Sequence, residues 1–74
     1  MITWIGLCAG EVWRYLDQTG GGAPLTELFS KVKAPKETIL MAIGWLAREG
    51  YVILRGTLSN VQVTLNPQPP GKGK

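Results

Sequence analysis

The feature that most constrains this chain is the stretch MAIGWLAREGYVIL, residues 41–54. It begins with apolar residues at helical spacing and ends in a run of β-branched and aromatic residues. One glycine, Gly50, separates the two patterns. A glycine just past the last turn of a helix takes up left-handed backbone geometry without steric cost and turns the chain out of the helix. With no linker, the next strand is held beside the helix before it. Any fold for this chain must contain that rigid helix-to-strand joint.

The rest of the pattern can be read outward from the joint. Ile39, Ala42, Ile43 and Leu46 share one face of a helix over residues 35–49, and Pro35 suits its first position. Before it, Leu25, Leu28, Phe29 and Val32 fall at i, i+3, i+4 and i+7, which predicts a short helix over residues 25–32 after Pro24. Thr26 and Glu27 stand early in it, where a cap or an acidic first turn is favourable. Residues 31–34 then form a tight turn. Nearer the start, Ile5, Cys8, Ala9, Val12 and Leu16 line one face of a helix over residues 3–17, with Thr3 as its N-cap and Glu11 and Arg14 facing away. Gly6 and Gly10 weaken that helix by up to about 1 kcal/mol each, so packing must hold it. Gly20-Gly21-Gly22 is expected to be a flexible turn. It lacks the spacing of a phosphate-binding loop and no strand precedes it.

After the joint, residues 51–55 form one strand and residues 60–65 a second. Val61, Val63 and Leu65 alternate with Gln62 and Thr64, and residues 56–59 make the hairpin loop. A hairpin alone is marginal in water, so its apolar side must lie on the helices. The expected domain is residues 1–66. Residues 67–74, rich in Pro, Gly and Lys, are expected to be a disordered tail.

The order helix, helix, tight turn, helix, hairpin is that of a winged helix: mostly α, with a three-helix helix-turn-helix core and a two-stranded wing. The string Leu46-Ala47-Arg48-Glu49-Gly50-Tyr51-Val52 resembles the helix-to-wing junction of winged helix-turn-helix domains. Gly10-Glu11-Val12-Trp13, taken with Ala42-Ile43-Gly44-Trp45-Leu46-Ala47-Arg48-Glu49, resembles a small bacterial family of stand-alone winged-helix domains of unknown function. The resemblance covers about residues 5–65. It departs at Gly50-Tyr51, where a polar pair is expected. It implies the fold and, for function, a DNA-binding-like module.

Composition narrows the function classes. The 74 residues make one domain, whose folding buries only roughly 60% of the unfolded surface. Trp4, Trp13, Trp45, Phe29, Tyr15 and Tyr51 are the large side chains available for so thin a core. Histidine is absent, the five acidic residues are scattered, and the one cysteine, Cys8, lies among apolar residues as a small hydrophobe. That set offers no catalytic constellation and no metal-ligand spacing, so neither enzyme activity nor a cofactor is expected. No signal segment or membrane span is visible, and a soluble cytoplasmic chain is expected. The net charge is +3, but Lys72 and Lys74 of the tail supply two of the charges, which leaves about +1 on the folded part.

Two surfaces compete for function. In a helix-turn-helix the third helix enters the major groove. The candidate duplex contacts are Lys31, Lys33 and Lys36 at the turn, Thr38 on the third helix and Arg55 on the wing. The outward face of the third helix, however, carries Glu37, Met41, Gly44 and Arg48, flanked by Leu40, Trp45 and Thr38. That face is mostly apolar, and Met41 and Leu40 cannot hydrogen-bond a base edge. Leu40, Met41, Gly44 and Trp45 are therefore candidates for a partner surface, a homodimer included. A third possibility is that Trp45 packs under the first helix or the wing, with Gly44 making room for Trp13 or Trp4. Analogy of fold favours DNA, while the charge pattern favours association.

Overall fold

The computed structural model describes residues 4–57 and 59–67. The expected Thr3 cap, residues 68–74 of the expected tail, and Leu58 in the hairpin loop lie outside them. The chain runs α1 (Trp4–Gln18), β1 (Gly22–Pro24), α2 (Leu25–Lys31), α3 (Lys36–Arg48), β2 (Val52–Thr57) and β3 (Asn60–Leu65).

Two helix ends set the architecture. At the end of α3, Gly50 takes φ 85°. The Gly50 N–H donates to the Ala47 carbonyl at 3.1 Å and the Tyr51 N–H to the Leu46 carbonyl at 2.9 Å. This paired pattern, closed by a left-handed glycine, satisfies the last carbonyls of the helix and delivers the chain straight into β2. The end of α1 has a related form. Gly20 and Gly21 take φ 87° and 98°, the Gly21 N–H donates to the Leu16 carbonyl at 2.8 Å, and the chain passes straight into β1.

Both ends converge on one strand. β3 lies in the middle of an antiparallel sheet of order β1-β3-β2. The Leu65 N–H donates to the Gly21 carbonyl at 2.7 Å, and the Asn66 N–H to the Tyr51 carbonyl at 2.9 Å. The Asn66 side-chain amide donates to the Gly50 carbonyl at 2.8 Å. The last strand thus ties together the two turns that leave α1 and α3.

The wing therefore has three strands where the sequence pattern gives two. The glycine triplet is an ordered turn whose last member starts β1. Residues 22–24 lack any strand signal of their own, and backbone pairing with β3 recruits them: Gly22 to Thr64, Ala23 to Val63, Pro24 to Gln62. β2 also runs further than residues 51–55 and includes Gly56 and Thr57. Gly56 sits at φ 102°, where an added Cβ would lie 2.1 Å from the Asn60 carbonyl oxygen, so no other residue fits unchanged.

The core is aliphatic. Val12 and Leu16 of α1, Leu28 of α2, Ile39 of α3 and Val63 of β3 are its largest fully buried side chains. Each contributes roughly 1.5–3 kcal/mol relative to leaving it exposed. The tryptophans stay outside: Trp4 is 83% exposed, Trp13 41% and Trp45 46%. The expectation that they would furnish core volume is thus not met. α1 packs chiefly on α3, with Cys8, Ala9 and Ala42 among the buried residues of the two helices. Small residues in such a contact let helix axes come close and leave no room for an indole. The Tyr15 hydroxyl donates to the Glu27 carboxylate and links α1 to α2.

Candidate interaction surface

The turn between α2 and α3 is built around Val32. This residue is buried, its N–H donates to the Leu28 carbonyl at 2.9 Å, and its carbonyl accepts from the Ala34 N–H at 3.0 Å. With Val32 anchored inward, Lys31 and Lys33 on either side of it point into solvent, as does Lys36 at the first position of α3. Lys36 places its Nζ 5.0 Å from the centre of the Phe29 ring, a cation–π contact that holds it along α2. Thr38 is half-buried and Arg55 is exposed on β2.

These five candidate contacts do not form one cavity. Lys33 and Thr38 line a groove of about 540 Å³ between the first half of α1 and the α2–α3 turn, where Trp4, Leu7 and Pro35 form much of the wall. Arg55 lines a separate hollow of about 450 Å³ on the wing, with Leu54 and Val61. Leu54 pairs directly with Val63 on the helix-facing side of the sheet, yet Leu54 is exposed where Val63 is fully buried. The outer half of the wing thus overhangs the helices. Trp4 and Leu7 are not among the residues that the sequence pattern singles out for this surface. Their spacing of three residues puts both on one exposed side of α1, but no local pattern marks the groove that they line.

On α3 the apolar candidates are open to solvent. Leu40 is 45% exposed and Met41 51%. A Cβ added at Gly44 would meet nothing within 4 Å, so this glycine makes room for neither Trp13 nor Trp4. Trp45 stacks on Tyr51 across the helix-to-strand joint, with ring centres 6.3 Å apart and planes 26° from parallel. The stack orients the indole while about half of it stays exposed. Glu37 and Arg48 are exposed at the two ends of the same face. Among the described residues the ion-pair distance is met by Arg14 and Glu11, 3.4 Å apart on the surface of α1, and such an exposed pair contributes little.

Cys8 is buried. Burial, and then the charge of Glu11, push its thiol above the ordinary cysteine range, the opposite of what an activated nucleophile needs. Among the described residues no group of three or more His, Cys, Asp or Glu could hold a metal ion, and no helix is long and apolar enough to cross a membrane.

No curated protein matches the chain. The model of the winged helix-turn-helix domain family DUF2582 matches residues 1–65, a span that takes in every helix and strand described above. The helix-turn-helix around Val32, the glycine joint and the wing agree with that description, and the chain belongs to the DUF2582 family of winged helix-turn-helix domains.

Proposed function

We propose that this winged helix works by protein association, with the outer face of α3 as the docking surface. The observation that carries the reading is the exposure of Leu40, Met41 and Trp45 around an open Gly44 on the helix that reads bases in a helix-turn-helix protein. Base edges are read chiefly by strong donors and acceptors, and the middle of this face offers only the indole N–H of Trp45 and the weakly accepting sulfur of Met41. Exposed apolar side chains that include an aromatic and a methionine are typical of the centre of a protein interface.

The test is a titration of the full chain with mixed-sequence duplex DNA at two salt concentrations. The expected result is no binding tighter than the ~1–100 µM of non-specific contacts, and the same weak affinity in Met41→Glu. Tighter binding that disappears in Met41→Glu would show α3 in a groove and end the reading.

One observation favours a second role, nucleic-acid backbone binding. Lys31, Lys33 and Lys36 are exposed within six residues, and none meets an acidic partner among the described residues. In this role the three lysines, Thr38 and Arg55 would touch phosphates of duplex DNA, in keeping with the common use of the fold in transcription. Duplex binding unchanged by Lys33→Glu with Lys36→Glu would remove it.

A further inference from the structure

We infer that the occupant of the α3 face is a second copy of this chain, paired antiparallel about a two-fold axis through the level of Ala42 and Ile43. The inference rests on the association reading above and adds the identity of the partner. It comes from the order of residues along the helix. At about 1.5 Å and 100° per residue, the outer face of α3 has Glu37 near its start and Arg48 near its end, with two short lanes between them. Met41 and Trp45 form one lane, Leu40 and Gly44 the other.

A two-fold axis reverses one helix over the other. Residues whose numbers sum to 85 then stand at the same height. Glu37 meets Arg48 of the second copy, and the reverse pair forms at the other end. Each lane also meets its own reverse. Met41 falls within about 1.5 Å in height of Trp45 of the second copy, and Leu40 within the same distance of Gly44. A thioether beside an indole is a favourable contact. The isobutyl group of Leu40 lies over the one position of the face that has no side chain, where even an added Cβ would meet no neighbouring side chain within 4 Å. A parallel pairing would set Glu37 against Glu37 and Arg48 against Arg48. Reversed, the face is complementary to itself in charge as well as in shape, and the charges are what exclude the parallel pairing; such self-complementarity is the condition for a closed isologous dimer.

One helix face from each copy makes an interface below roughly 1,200 Å² in total, so association is weak, with Kd of roughly 10–500 µM. Sedimentation equilibrium of the full chain under reducing conditions up to about 1 mM covers that range. The expected result is a monomer–dimer equilibrium in which Gly44→Gln, tolerated by the open space in the monomer, weakens the dimer at least about tenfold. Glu37→Arg and Arg48→Glu each weaken it by roughly threefold to tenfold, and the double reversal restores it to within about threefold of the parent. Circular dichroism melts confirm that each variant is folded. A monomer throughout the range, or a dimer indifferent to Gly44→Gln and to the single reversals, overturns the pairing. Either result is distinct from failure of the association reading, which is decided by duplex binding that depends on Met41.

Discussion

Along α3 the inward residues Ile39, Ala42, Ile43 and Leu46 are buried, while Leu40, Met41 and Trp45, a step or two away round the same helix, are about half exposed. The two sides differ little in chemistry. What separates them is what they face: α1 and the sheet on one side, solvent on the other. The inner side accounts for the fold. The outer side adds little to it beyond the Trp45–Tyr51 stack, so its apolar character calls for a different explanation, and association is the one proposed above. Hydrophobic content alone therefore does not mark the core of so small a domain, and the winged-helix scaffold does not oblige its third helix to read bases.

The contrast can be tested by mutation, the largest expected effect first. Ile39→Ala removes a fully buried side chain and should cost about 2–5 kcal/mol in a urea melt. A loss of that size leaves little folded protein at 37 °C in so small a domain, so the melt is best read in the cold. Gly44→Ala on the outer side should act in the opposite sense and stabilise the monomer by up to about 1 kcal/mol, because alanine is the better helix former and the space is open. Met41→Gln, matched in helix propensity, should leave monomer stability within about 0.5 kcal/mol of the parent while weakening association. A loss comparable to that of Ile39→Ala would erase the distinction between the two sides.

The smallest expected effect is on pH dependence. The Tyr15 hydroxyl is pushed above the ordinary tyrosine range, first by its hydrogen bond to Glu27, then by burial and by the charge of Glu27. A raised acid favours its neutral form in the folded state. Its contribution to stability is whole below the unfolded value of about 10 and is lost as pH climbs through the folded value. Thermal melts taken from mildly alkaline pH up through the tyrosine range should show that loss in the parent and in Met41→Gln, and less of it in Tyr15→Phe.

Much of this was legible in the sequence because it is written in periodicity. The inner stripe of α3, the buried face of α1 and the bounds of β3 come from spacing alone. The glycine that ends α3 is recognisable because a helical pattern stops and a strand pattern begins at one residue. The triplet Gly20-Gly21-Gly22 carries the same kind of turn, but the three residues of β1 have no pattern of their own. β1 exists because β3 offers a free edge and because the Leu65 N–H reaches the Gly21 carbonyl, and a backbone contact between residues so far apart in the chain has no local sign. The tryptophans misled for a related reason. Their size suggests core volume, while the small residues between α1 and α3 decide how close the helices come, and at that distance an indole has no seat. Of the candidate sites, the exposed turn lysines and the apolar outer face were placed by spacing. The groove at Trp4 and Leu7 was not, since it needs the docking of α1 on the α2–α3 turn.

The convergence of both helix-terminal turns on the end of β3 has a consequence for how the protein is made. Synthesis on the ribosome runs from the N-terminus, so α1, α2 and α3 are made before the residues that join them. Until Leu65 and Asn66 clear the exit, the carbonyls of Gly21, Gly50 and Tyr51 lack the partners they have in the finished fold, and the apolar side of the nascent helices has no sheet to cover it. The last residues of the fold to be made are thus the ones that close both helix-terminal turns, and a chain cut short before Leu65 would lack all three of these bonds.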